Sequence, residues 1–154
     1  MFRGAARASR LVKGSDAVIS ALHHDIPAAT ILSALKTAGV SRLLVTGGAS
    51  SLEVAPGVRL IDTPEFPEEW KVFAQGGIAF LNDLRSETGI DWTFFSPAAV
   101  IEETPRLGHF RLGGDQLVTD DRGESRIGFS DYAVAMVDEV ERPAHSRARF
   151  TAAY

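Results

Sequence analysis

The chain contains no cysteine. That excludes disulfides and thiolate chemistry and fits a reducing, cytoplasmic compartment. No apolar run approaches the ~18 residues that a membrane span requires, so no membrane partner is expected. Positive charge is in short supply. There are 16 Lys and Arg against 20 Asp and Glu, a formal net charge of −4, so no nucleic-acid partner is expected either, since that needs a basic face. Also missing is any G-x-G-x-x-G turn between a strand and a helix, the kind of loop whose backbone amides cradle phosphates. Gly47-Gly48 follows a strand-like run but leads into a proline-rich loop, and Gly113-Gly114 lies between short β-like segments. A G-x-S-x-G nucleophile turn is absent as well.

What remains is ordinary globular composition over 154 residues, enough for one domain, residues 1–154, with a sizeable core. Residues 17–22 (AVISAL), 43–45 and 92–95 are short, nearly continuous apolar runs. Strands buried on both faces read this way, so these three are expected to be parallel strands. Residues 25–38 read as a helix, with Asp25 able to cap it, Pro27 in its first turn and Gly39 ending it. Residues 50–67 hold Pro56, Pro64 and Pro67 and read as a loop. A helix over residues 68–87 follows, with Trp70, Phe73, Gly77, Leu81 and Leu84 as its core stripe. Its Gly76-Gly77 pair is explained if the helix packs closely on the sheet.

Such strand–helix alternation is the pattern of right-handed βαβ crossovers. The tail departs from it. Residues 110–112, 116–119 and 126–129 read as short strands, the last two joined by an Asp121-Arg122-Gly123 turn into a small hairpin. Ser130 is expected to cap a helix that buries Ala133, Met136, Val137 and Val140 and ends at Pro143. Residues 149–154 read as a final strand. At the front, Arg3, Arg7 and Arg10 could suggest an organellar presequence. Residues 7–13 read more simply as the last turns of a helix ended by Gly14.

Ligands of open parallel sheets bind beyond the carboxyl ends of the strands. Three such ends are small or hydroxylic: Ser20, Ala21 and Leu22; Thr46, Gly47 and Gly48; Ser96, Pro97 and Ala98. Small residues let a flat ring approach the backbone, and hydroxyls and amides orient it. Other constellations are weaker. His23-His24-Asp25 could suggest a metal, but adjacent ligands point apart and no third ligand is suitably spaced, so no metal is expected. Glu102-Glu103 and Asp120-Asp121 read as solvated loop carboxylates, Ser50-Ser51 lacks His and Asp partners, and His109 and His145 read as surface residues.

The segments DAVISAL, VTGGASSLEVAPG, DWTFFSPAAVIE, FRLGGDQLV and RFTAAY occur in that order. With them the chain resembles the atypical short-chain dehydrogenase/reductases of the NADH-flavin reductase, NAD(P)H-binding type, over residues 11–154. The resemblance implies an α/β fold, a Rossmann-like parallel sheet, of which this chain carries the C-terminal two thirds. It implies NAD(P)H as cofactor, held here on its nicotinamide half by the nine strand-end residues just named, and hydride transfer to a flavin or similar small, flat acceptor. Trp70, Phe95 and Phe110, with Phe94, are candidate walls for that acceptor.

Family members open with a strand, a G-x-x-G-x-x-G turn and two more strands ahead of the DAVISA strand. Such a motif in frame just upstream of Met1 would show that the working protein is longer. The Tyr-x-x-x-Lys of typical members is also missing: Trp70 is followed by Ala74 at that interval, and Tyr132 by Met136. Without its family neighbour, the strand at residues 17–22 is expected to be an open edge that pairs with a second copy of the chain, making a homo-oligomer, or is covered by a rearranged N-terminus. The alternative to a reductase is a catalytically silent domain acting through self-association or a partner.

Overall fold

Alternating side chains on two buried strands build the core of this protein. The computed structural model describes residues 3–154. Along the chain come α1 (Arg3–Val12), β1 (Val18–Ser20), α2 (Ala28–Ala38) and β2 (Arg42–Thr46). They are followed by β3 (Glu53–Ala55), β4 (Val58–Arg59) and two single 3-10 turns at Leu60–Asp62 and Glu68–Trp70. Then come α3 (Lys71–Arg85), β5 (Asp91–Ser96), β6 (Val100–Glu102), β7 (Arg111–Gly113), β8 (Arg126–Gly128), α4 (Phe129–Glu141) and β9 (Ala148–Ala153).

The main sheet has the order β1-β2-β5-β9-β7. Its first four strands are parallel, and β7 runs antiparallel to β9. Because successive side chains point to opposite faces, Leu43, Val45 and Phe94 join Leu35, Phe80 and Leu84 in one core under α2 and α3. Leu44, Phe95 and Phe150 join Ile127, Ala135 and Met136 in a second core under α4. Each fully buried Leu or Phe is worth about 1.5–3 kcal/mol of transfer free energy. This is the α/β, Rossmann-like, mostly parallel sheet expected from the sequence. The three apolar runs form β1, β2 and β5. As expected, β1 stands at an edge of the described sheet.

Several local expectations are corrected. The tail forms no hairpin. The turn is made, with Asp120 Oδ1 accepting from the Arg122 and Glu124 backbones. The flanking segments, however, bond elsewhere: β8 runs parallel to β6, and β7 pairs with β9. Residues 116–119 contribute only an isolated bridge between Gln116 and Glu53. Distant strands with buried faces outcompete the local pairing. The hairpin that does exist is β3–β4, inside the segment expected to be a loop. Pro56-Gly57 makes its turn, with Gly57 at φ 74°, where proline followed by glycine suits a type II turn.

The helices also shift. Pro27, not Asp25, occupies the N-cap of α2. The 68–87 helix is a 3-10 turn followed by α3. Its stripe is only half right, because Gly77, Leu81 and Leu84 are buried while Trp70 and Phe73 are 60% and 76% exposed. Gly128 rather than Ser130 precedes α4, whose buried face is Asp131, Ala135, Met136 and Glu139, with Ala133 and Val137 exposed. Of the expected stripe Met136 is buried and Val140 packs against the core, but two carboxylates with dedicated donors share that inner face, which apolar periodicity does not register. Among the described residues no helix is long and apolar enough to cross a membrane.

Candidate functional site

The parallel run of β1, β2 and β5 brings their carboxyl ends to one rim. Thr46 Oγ1 donates to the Ser20 carbonyl at 3.3 Å, tying the first two ends together. Ala21 and Leu22 are exposed, and Thr46, Gly47 and Gly48 are half-buried. Around Gly48 the nearest atom to an added Cβ would be Ser50 Oγ at 3.9 Å, so its backbone lies open. Gly47 differs: a Cβ there would overlap the Phe94 ring, and its N–H donates to the Phe95 carbonyl at 2.8 Å.

The β5 end does not present what the sequence suggested. Ser96 and Ala98 are buried, and the Ser96 hydroxyl accepts from Arg149 Nη1 at 3.5 Å. Only Pro97 of that trio is partly open. The three candidate acceptor walls do not form one surface. Phe95 is fully buried, stacked between Tyr132 and Phe150 with ring centroids 4.1 Å away on each side. Phe110 packs against that same core under α4. Trp70 stands exposed before α3, on the other face of the sheet.

The sequence reading underweighted the loop after β1. The His24 imidazole inserts beside Phe80, edge-on at 5.1 Å, and 5.8 Å from Phe94. Its Nε2 is buried without a hydrogen-bond partner among the described residues. Burial lowers the His24 pKa, and His23 adds to this; the Thr46 backbone and Asp25 oppose it incompletely. The imidazole is therefore neutral at neutral pH. The Gly76-Gly77 pair gains its explanation here rather than at the sheet. A Cβ on Gly76 would lie 3.1 Å from the His24 carbonyl oxygen, and one on Gly77 would lie 3.4 Å from His24 Nδ1.

In front of this contact opens a cavity of about 510 Å³, lined by His23, His24, Asp25, Val72, Phe73 and Gly76. The unexplained glycine pair was the signal in the sequence. Among the described residues no group of three or more His, Asp or Glu could hold a metal ion.

Other polar groups near the strand ends are committed internally. Tyr132 donates its hydroxyl to the Phe95 carbonyl at 2.7 Å, and burial pushes its ionisation well above the ordinary tyrosine range. Buried Arg149 spans Asp115 (2.8 Å) and Ser51 Oγ (3.0 Å), which occupies Ser51. His145 is not a free surface residue. Its Nδ1 lies 2.8 Å from Glu139 Oε2, and its ring stacks on Phe150 at 4.3 Å. His109 is exposed.

This rim fits the ring end of a nicotinamide dinucleotide, because Ala21 and Gly48 leave backbone open to a flat group. Among the described residues no glycine-rich turn joins a strand to a helix N-terminus, so nothing described cradles its pyrophosphate.

A family model for NAD(P)H-binding proteins matches residues 3–140. The uncharacterized protein YwnB of Bacillus subtilis is 41% identical over 151 residues, covering 91% of this chain and 71% of that protein. The crystal structure of a candidate epimerase from Bacteroides thetaiotaomicron superposes with a TM-score of 0.92 at 44% identity, covering 97% of this chain and 72% of that one. A candidate NADH-flavin reductase from Streptococcus pneumoniae superposes with a TM-score of 0.84 at 33% identity, covering 94% and 74%. With nearly its whole length matched and its parallel sheet superposed, the chain belongs to the NAD(P)H-binding family of Rossmann-like proteins.

Proposed function

We propose that this protein is an NAD(P)H-dependent oxidoreductase that transfers a hydride to a flat acceptor such as a flavin. The observation that carries the reading is the open backbone at Ala21 and Gly48 on the rim of a family-typical sheet, beside a cavity lined by aromatic and imidazole side chains. NAD(P)H, when bound, supplies the hydride.

The chain's own residues bind and orient. Gly48 and Ala21 admit a ring against the backbone. The Thr46 hydroxyl, fixed by the Ser20 carbonyl, holds the two strand ends in register. Phe73 and Val72, in the neighbouring cavity, cover apolar surface of the acceptor ring and keep water from it. Tyr132 supplies no proton, being buried and bonded to Phe95. That suits ring-to-ring hydride transfer, which depends mainly on proximity and orientation.

The test is NAD(P)H binding by calorimetry together with riboflavin-dependent loss of nicotinamide absorbance. Saturable binding with turnover is expected; no binding at millimolar cofactor rejects the reading. Gly48→Val is expected to weaken NAD(P)H at least ~10-fold (about 1.4 kcal/mol), and an unaltered affinity removes Gly48 from the site.

A second reading rests on a different observation. Beside the open β1 edge runs a groove of about 420 Å³, almost wholly apolar, between α1, β1 and α2. Ile19 and Leu22 are 47% and 54% exposed there. An apolar strand edge invites a second copy. In this reading the protein is a self-associating domain without turnover. A concentration-dependent mass that Ile19→Lys abolishes, with no NAD(P)H oxidation, is its signature; robust turnover by a monomer rejects it.

A further inference from the structure

We infer that the cavity between the 23–25 loop and the start of α3 is the acceptor's seat, shaped for an uncharged flat ring, with Phe73 as its stacking wall and the His24 loop as its floor. This rests on the reductase reading above.

Size comes first. About 510 Å³ lies within the ~300–1,000 Å³ usual for small-molecule sites. Exposure comes second. Val72 and Phe73 in the first turn of α3 are 75% and 76% exposed, and Trp70 just before it is 60% exposed. Grouped apolar exposure marks a binding surface more often than isolated exposed residues do.

The third argument is what the helix gives up. Two glycines in the interior of α3 make that helix less stable than alanines would. They bring the His24 loop against the helix, and Gly76 itself lines the cavity. The fourth is continuity. The His24 ring meets Phe94, and Phe94 fills the place of a side chain on Gly47. One buried ring thus links the floor of the cavity to the strand end at which the nicotinamide ring is proposed to lie.

The lining also selects. It holds no lysine or arginine, and it includes Asp25. The neighbouring Lys71 is engaged by Glu68 at 2.6 Å. Burial keeps the imidazole of His24 neutral. A phosphorylated acceptor therefore meets no countercharge and one like charge, whereas a neutral ring meets the stacking face of Phe73. Riboflavin is the matching probe and flavin mononucleotide the mismatched one.

The experiment titrates the protein, without NAD(P)H, into riboflavin or flavin mononucleotide and follows quenching of flavin fluorescence. Riboflavin is expected to bind at least ~5-fold more tightly. Phe73→Ser is expected to weaken riboflavin ~10-fold or more, and Phe73→Tyr to restore it. NAD(P)H affinity is expected to stay the same in both variants. Equal or tighter binding of the mononucleotide, or riboflavin affinity indifferent to Phe73, overturns the proposal. A loss of NAD(P)H affinity in Phe73→Ser also overturns it, by making the cavity part of the cofactor site. Riboflavin binding that depends on Phe73 without NAD(P)H oxidation leaves the seat standing and rejects only the reductase reading.

Discussion

The Phe94 ring occupies the space into which a side chain on Gly47 would project. Adjacent glycines at the end of β2 therefore have different duties. Gly47 is a packing residue, and Gly48 is open backbone. Gly47→Ala is expected to lower stability by about 1–3 kcal/mol, the range for overpacking a filled core. Gly48→Ala is expected to stay within about 0.5 kcal/mol, as for a surface site. Urea midpoints at unchanged m-value check both. Equal effects would mean that Phe94 moves aside freely.

Tyr132 illustrates a buried hydroxyl that carries no chemistry. It donates to the Phe95 carbonyl at 2.7 Å and stacks on the Phe95 ring. Tyr132→Phe keeps the stack and removes one hydrogen bond, so a loss of about 0.5–1.5 kcal/mol is expected. NAD(P)H oxidation should be unchanged in rate and in pH profile. A large fall in kcat at unchanged KM would instead place this hydroxyl in the reaction.

How much of this was legible in the sequence follows from which forces decide each element. The buried strands were legible because burial on both faces leaves an apolar run, as at Leu43, Leu44 and Val45. The β3–β4 hairpin was hidden because its strands are short and mostly exposed, leaving Pro56-Gly57 as the only cue. The inner face of α4 was read only in part because Asp131 and Glu139 are buried there with partners far away in sequence, Leu107 and Arg42. At the site, open backbone at Gly48 followed from residue type. The inward turn of Ser96 depended on Arg149, which arrives 53 residues later. His24 was weighed only as a metal ligand, because its environment is made by Phe80, Phe94 and a glycine pair on another element.

The depressed pKa of His24 gives a pH signature. In the unfolded chain the imidazole titrates near its ordinary 6.5, and in the fold it titrates lower, chiefly through burial. The unfolded state therefore binds more protons as pH falls below 6.5. Stability from this group is full above that value and is lost as pH falls toward the folded pKa. His24→Phe removes the titration, so its melting temperature should fall less than that of the parent between about pH 6.5 and 5. Parallel curves would show that the ring is solvated and titrates normally.

At the opposite end of the sheet, Glu139 is a structural counterpart to the open rim. Its carboxylate is 4% exposed. Oε1 accepts from the backbone N–H groups of Ala144 (3.1 Å) and His145 (2.8 Å) and from Arg42 (3.2 Å), while Oε2 lies 2.8 Å from His145 Nδ1. It thus ties the end of α4 to the start of β2 and to the turn that leads into β9. Glu139→Ala leaves the nearly buried Arg42 guanidinium with Asp91 alone and strands two backbone donors, so a cost of about 3–5 kcal/mol is expected. Glu139→Gln keeps one acceptor oxygen and the side-chain shape, and should cost about 1–3 kcal/mol. Urea denaturation ranks the two, and the glutamine variant remains measurable if the alanine variant does not fold. NAD(P)H and riboflavin affinities of the folded glutamine variant should match the parent, because the network sits at the amino ends of β2 and β5. An alanine variant as stable as the glutamine one would show that water reaches Arg42 and replaces the carboxylate, and that the α4–β9 turn is held by packing of His145 on Phe150 instead.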